Sequence, residues 1–423
     1  MGELVSLETH LASVLRESGP LAPVTVPIEQ GLGLRLAADI VAVHALPTVD
    51  NSAMDGYAVR RASVAGASPA APVRLRVVAD IPAGSGDDPA LRDGECARIM
   101  TGAPVPSDAD AIVPFEATTL GTDIATAAPE AIDVTNEPRP AAHIRRRGED
   151  IEPGELVLPA GARLGARAVA AAIAAGATTA VVVPRPRVAV VSTGDELLPA
   201  GAPLTRGRIP DSNSPLLAGL VTEAGAELAR VERAGDEPGP FIDALYALAR
   251  DVDVVITTGG VSVGAFDVVR IALEERGVEF HKVAMQPGKP QGFGRLARSD
   301  GEGRSGPLMF CLPGNPVSVF VSFEAFVRPA LRALAGEVGP AHIERVGIAS
   351  EGWRCPPGRL QLMPVRTLGV DGNGRSAIAP ATAGGSGSHL VARLARADAL
   401  AIAPADAADV RVGDELTIWE VLP

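Results

Sequence analysis

The sequence predicts a multidomain chain. It combines a parallel-sheet α/β domain, a β-rich domain, a discontinuous linking domain and a small C-terminal β-barrel. Three observations carry this reading. The chain has 423 residues, more than one hydrophobic core usually spans. Residues 181–334 alternate continuous apolar strands with helical stretches, as a parallel sheet covered on both faces requires. At 46–144 and 335–423, short apolar runs are broken by Gly, Pro, Asp and Ser, which reads as small β units.

The elements follow in order. Leu4, Leu7, Leu11 and Leu15 share one face of an N-terminal helix. The β-rich stretch includes the run Val73–Val78, and its Ala/Thr/Pro-rich segment 122–143 reads as a surface loop or hairpin. A further helix is predicted over Ala166–Ala175 with Gly176 just past its end. Residues 145–180 resemble neither neighbour, so they are grouped with 1–45 as one discontinuous domain. Within 181–334, strands are predicted around Val188–Val191 and over Glu227–Val231, Val252–Ile256, Val278–Met285 and Leu308–Leu312. Helices are predicted over Pro215–Ala224 (capped by Ser214), Phe241–Ala249, Phe266–Glu275 and Pro316–Leu334.

Charge and composition exclude several classes. With 51 acidic against 38 basic residues the formal charge is −13, which repels nucleic acid and anionic membranes. Two Trp, two Tyr and nine Phe supply few stacking surfaces for bases. Cys96, Cys311 and Cys355 lie far apart with no C-x-x-C, so a zinc ribbon or disulfide framework is not expected. The Ala-rich apolar stretch Ala168–Pro184 is interrupted by Gly176 and reads as a helix and a strand, not a membrane span. No basic signal region opens the chain, and the expectation is a soluble, cytoplasmic protein.

In an open α/β sheet, ligands bind beyond the carboxyl ends of the strands. Three predicted strands there run into small-residue loops. These are Ser192-Thr193-Gly194, Thr257-Thr258-Gly259-Gly260-Val261-Ser262-Val263-Gly264 and Pro313-Gly314-Asn315. Glycine admits close backbone approach to an anion, and hydroxyls and N–H groups then bond it. None of the loops is a Walker A or dinucleotide motif. Glu196, Asp236 and Asp267 cluster at the same edges; beside phosphate-type loops, such hard oxygen ligands suit Mg²⁺. Lys282 ends a predicted strand, and Lys289 sits in a stiff Pro-Gly-Lys-Pro loop that pre-positions its ammonium for an anion.

The chain also carries the strings DNSAMDGYAVR (50–60), RIMTGAPVP (98–106), RRRGEDI (145–151), STGDEL (192–197) and GRIPDSNSPLL (207–217). TTGGVSVGAFD (257–267), QPGKPQGFG (286–294), LPGNPVSV (312–319) and GSGSHL (385–390) follow. Together they resemble the molybdopterin molybdenumtransferase family, which includes bacterial MoeA and the gephyrin and plant E domains.

The resemblance implies an elongated homodimer of four-domain chains, with each cleft between the α/β domain of one subunit and the β-rich domain of the other. It implies an Mg²⁺-dependent reaction of molybdopterin adenylate with molybdate that releases AMP and yields molybdenum cofactor. Transient partners would be a molybdopterin adenylyltransferase and the recipient molybdoenzymes or their chaperones. The family's acidic positions map onto Asp55, Asp150, Glu196, Asp236 and Asp267, and Thr101, Lys282 and Ser388 also match. On this reading Glu196, Asp236 and Asp267 serve the metal, Lys282 and Lys289 bind anions, and Asp55 and Thr101 complete the cleft. Gln286 stands where many members carry Lys, and the functional Arg between Arg359 and Arg366 is unassigned. The competing reading is a scaffold or regulatory binder on the same fold. Retention of all five acidic positions favours catalysis. The α/β domain alone also resembles the adenylyltransferase, which lacks the 45–150 region.

Overall fold

A computed structural model describes residues 4–121, 126–261, 268–297, 306–370, 372, 374–381 and 390–421. They form two compact units, residues 25–182 and residues 1–24 with 183–423.

The 25–182 unit is built on a five-stranded sheet. Its order is Ala111–Pro114, Gly56–Val59, Glu95–Ile99, Val73–Ile81, Ala131–Val134. Period-two alternation sends Tyr57 and Val59 to one core and Ala58 to another, and a register shift between Val77 and Ala79 lets one strand send Leu75 to the first core and Ile81 to the second. A β-carbon on Gly56 would stand 2.2 Å from the Val113 carbonyl oxygen, so only glycine fits between the flanking strands. A third core joins Ile28, Leu36, Leu164 and Val182 beneath the helix Ala166–Ala174.

The other unit holds a six-stranded sheet. Its order is Glu227–Ala234, Arg187–Thr193, Val254–Thr258, Leu308–Leu312, Pro290–Arg295, Val278–Lys282. The first four are parallel, and the last two run antiparallel to their inner neighbours. Both faces are covered. Val188, Val190, Ile256 and Phe310 pack toward the helices Asn213–Glu223 and Pro316–Ser322. Ala189, Val191 and Val255 pack toward Phe241, Leu245 and Val268. Burying each such Val, Leu or Phe contributes roughly 1.5–3 kcal/mol.

Three details differ from the sequence reading. Residues 25–182 form one unit, and the N-terminal helix Leu7–Glu17 belongs to the α/β unit instead. Its Leu7 and Val14 enter the main core, and Val5 forms a parallel bridge with Val283. The helix predicted from Pro215 starts at Asn213, because Asp211 accepts the Ser214 N–H at 3.0 Å and caps it from outside. The strand predicted over Val278–Met285 breaks after Lys282, and Met285–Gln286 leaves to pair with the C-terminal strand Leu360–Val370.

The C-terminal region closes into a five-stranded barrel. Its ring is Leu360–Val370, Ser376–Pro380, Glu344–Ala349, Glu415–Glu420, Ala399–Ala403 and back to the first. The helical run over residues 316–334 contains a π turn at Phe323–Val327. Glu324 in that turn is fully buried and is met by Arg328 at 2.6 and 2.9 Å and by His342 at 3.0 Å. Burial pushes its carboxyl up, but the bonds from His342 and Arg328 outweigh this and hold it below the usual range. Trp419 of the barrel stacks on His342 at 4.4 Å, which ties barrel to helix.

Candidate functional site

At the carboxyl edge of the parallel strands lies a cavity of about 520 Å³. Four loop ends reach it from the sheet. Thr193, Gly194 and Glu196 follow one strand, Asp236 the next, Gly259, Gly260 and Val261 the third, and Pro313, Gly314 and Asn315 the fourth. The loop Gln286–Pro290 forms another wall with Ser318, and Arg359 enters from the barrel.

The loops are fixed to one another by side chains beneath them. Asn213 Nδ2 donates to Thr258 Oγ1 at 3.0 Å and to the Gly314 carbonyl at 2.7 Å. Asp211 accepts from Ser192 at 2.8 Å and from Ser214 at 2.7 Å. Gly259 has φ +97°, and a β-carbon there would stand 2.8 Å from the Thr193 carbonyl oxygen. Glycine therefore lets two ligand-facing loops touch. Asp236 Oδ2 accepts the Asp195 N–H at 3.1 Å, which orients that carboxylate at the strand end.

Chemically the cavity offers two cations, Lys289 and Arg359, and two carboxylates, Glu196 and Asp236. No group of three or more His, Cys, Asp or Glu able to hold a metal exists among the described residues. A pair of carboxylates nevertheless fits Mg²⁺, which takes one or two from protein and completes its shell with substrate oxygens and water. Burial pushes the thiol of Cys311 in this sheet, and that of Cys96 in the sheet of the other unit, up to about 12, which disfavours the thiolate in both.

The structure thus gathers Thr193, Gly194, Glu196, Asp236, Gly259, Gly260, Lys289, Pro313, Gly314 and Asn315 of the residues expected from the sequence. Ser192 and Thr258 do not line the cavity; their hydroxyls serve the network beneath it. Lys282 does not line it either, but ends the edge strand and is exposed. Ser262, Gly264, Asp267 and Ser388 lie outside the described residues.

Sequence reasoning left Arg359 unassigned. The pairing of Met285–Gln286 with Leu360–Gln361 carries it to the Lys289 loop, where it supplies a cation beside the uncharged Gln286. Arg366 is exposed and faces Glu351 at 3.7 Å. Asn213 and Asp211 were also missed as site residues, although the string GRIPDSNSPLL contains both.

In the 25–182 unit, Asp55 and Thr101 come together. Asp55 Oδ1 accepts both the backbone N–H of Thr101 at 2.7 Å and its hydroxyl at 2.8 Å. Asp150 is exposed, and its backbone N–H donates to the Leu46 carbonyl at 2.9 Å. Close by in sequence, Arg147 N–H donates to Asp50 at 2.7 Å and Arg146 pairs with it. These bonds, that of Arg147 first, hold the Asp50 carboxyl below its ordinary range.

A parallel-stranded α/β unit with a glycine-lined cavity at its carboxyl edge, joined to a small β-barrel, defines a multidomain α/β class. Comparison with known proteins narrows the class. Residues 5–176 match the MoeA N-terminal region (domain I and II), 189–333 a probable molybdopterin binding domain, and 346–421 the MoeA C-terminal region (domain IV). Molybdopterin molybdenumtransferase 2 of Mycobacterium tuberculosis H37Rv is 41% identical over 98% of this chain and 99% of its own. The Staphylococcus aureus N315 molybdopterin molybdenumtransferase is 34% identical over 80% of this chain and 78% of its own. A solved MoeA molybdopterin biosynthesis protein from Pyrococcus horikosii superposes with a TM-score of 0.79 at 32% identity, covering 99% of both chains. The chain belongs to the molybdopterin molybdenumtransferase family, a family of transferases of molybdenum cofactor biosynthesis. No helix among the described residues is long and apolar enough to cross a membrane.

Proposed function

We propose that this chain is a molybdenum insertase, transferring molybdenum from molybdate to adenylylated molybdopterin with release of AMP. The observation that carries the reading is one cavity in which Lys289 and Arg359 face Glu196 and Asp236 among three glycine-containing loop ends. A phosphate-linked substrate and molybdate repel each other, so a site for both needs fixed positive charge and a way to offset the remainder.

Each group has a task on this reading. The glycine-containing loop ends Thr193–Gly194, Gly259–Gly260 and Gly314–Asn315 admit the phosphates close to the backbone. Lys289 and Arg359 neutralise oxyanion charge, with Arg359 in place of the cation that Gln286 does not supply. Glu196 and Asp236, with Asp267, would hold Mg²⁺, which would supply Lewis-acid charge stabilisation where AMP departs. Asp55, Thr101 and Asp150 complete the cleft from a second copy in a homodimer, and the domains are those drawn from the sequence except that residues 1–24 go with the α/β unit. Lys282 acts from outside the cavity, and Ser388 from the barrel. The chain works in the cytoplasm, receiving substrate from an adenylyltransferase and passing product to molybdoenzymes or their chaperones.

A binder without turnover needs the cations but has no use for the carboxylates. The test is AMP release from adenylylated molybdopterin with Mg²⁺, with and without molybdate, by wild type and Asp267→Ala. Molybdate-stimulated release that the variant lacks supports the insertase. Tight binding with no release by wild type identifies a binder.

A further inference from the structure

We infer that Gln291 and Ser322 are positioning residues for Lys289, forming a buried hydrogen-bond chain that holds the Lys289 loop in the cavity. This rests on reading the cavity as an anion site. Gln291 is 2% exposed and Ser322 fully buried. Gln291 Nε2 donates to the Gly288 carbonyl at 2.6 Å and to Ser322 Oγ at 2.7 Å. The chain therefore runs from the helix Pro316–Ser322 through one amide to the backbone of the residue before Lys289.

The loop has few other ways to be held. Pro287 and Pro290 have no N–H to donate, and on the far side the Lys289 carbonyl accepts from Val283 N–H at 2.7 Å. Gly288 has φ +96°, and a β-carbon there would stand 2.8 Å from Ser322 Oγ. The loop thus lies directly on the helix at the point where the amide reaches it. Ser318, four residues earlier and on the same helical face as Ser322, lines the cavity itself. One helix accordingly provides both a wall of the cavity and the anchor of its lysine loop.

A buried amide costs free energy that an apolar side chain of the same shape would not, unless its bonds are made. Here the bonds fix the base of the Lys289 side chain, so less freedom is lost when the ammonium meets an anion. Removing the anchor leaves the charge in place but lets the loop move.

The experiment compares full-length wild type with Gln291→Met, which keeps length and removes both bonds, and with Ser322→Ala, which keeps the bond to Gly288. Lys289→Ala serves as the control. Two readouts are taken on each: amide hydrogen exchange over residues 285–292, and calorimetric affinity for AMP and for molybdate. Gln291→Met is expected to speed exchange in the loop but not at Gly259–Gly260, and to weaken anion binding about ten-fold, the worth of one net hydrogen bond. Ser322→Ala, the milder change, is expected to do less of both.

Unchanged exchange in Gln291→Met and Ser322→Ala overturns the inference. So does faster exchange with wild-type affinity while Lys289→Ala binds weakly; the cavity reading then survives alone. Wild-type affinity in Lys289→Ala overturns the cavity reading and the inference with it. If Gln291→Met does not fold, Ser322→Ala decides on the same two readouts.

Discussion

A single carboxylate oxygen of Asp55, Oδ1, accepts both the backbone N–H of Thr101 at 2.7 Å and the Thr101 hydroxyl at 2.8 Å. Both residues are exposed, and Oδ2 makes no bond among the described residues. The pair orients a carboxylate whose other oxygen stays open to solvent or ligand. Because both groups are exposed, removing the bond is predicted to cost less than about 1.5 kcal/mol of stability. Thr101→Val should leave the melting temperature nearly unchanged and still lower the rate of AMP release. A large loss of thermal stability with normal turnover would make the pair structural.

Asn213 joins two cavity loops through one nitrogen, bonding Thr258 and Gly314. It is 8% exposed, so Asn213→Ala strands buried acceptors at a predicted cost of about 1–3 kcal/mol. Chemical denaturation measures that cost. Affinity for AMP should fall as well, since the loops it joins line the cavity. Asn213→Asp should not restore either property, because a carboxylate cannot donate to the Gly314 carbonyl.

His10 predicts a pH dependence. It is 3% exposed, and burial, reinforced by the charge of His281, pushes its imidazole down to about 4. The unfolded chain takes up a proton near pH 6.5, whereas the folded chain resists it until about pH 4. Stability from this residue is complete above pH 6.5 and declines as pH falls toward 4. The loss reaches about 3 kcal/mol once both states are protonated. His10→Leu should flatten the melting temperature across that window, and an unaltered pH slope would refute the assignment.

Much of the α/β unit is legible in sequence because buried parallel strands must be apolar throughout. Val188–Val191 and Leu308–Leu312 announce themselves that way. Its loops are legible because close backbone approach demands glycine, as at Gly259. Long-range pairing is not. Nothing near Arg359 indicates that Leu360–Gln361 will run beside Met285–Gln286 and bring a cation to the Lys289 loop. The N-terminal helix announces itself by its leucines, but Leu4 lies before it, Leu15 is exposed, and the buried face is Leu7, His10 and Val14. Its partner is not legible either, and Val5 just before it bridges Val283. Lys282 misled because its strand ends there, and the chain then turns to Met285–Gln286 and the barrel. Gln291 reads as an ordinary polar strand residue until the helix carrying Ser322 is laid against it.

The most direct measurement is formation of molybdenum cofactor itself, read as reactivation of a cofactor-free molybdoenzyme supplied with adenylylated molybdopterin, molybdate and Mg²⁺. Wild type is predicted to restore activity. Lys289→Ala and Arg359→Ala, each removing one cavity cation, should lower the rate by about 10²-fold or more while remaining folded. Wild-type rates in both variants would contradict the claim that this cavity is where molybdenum is transferred.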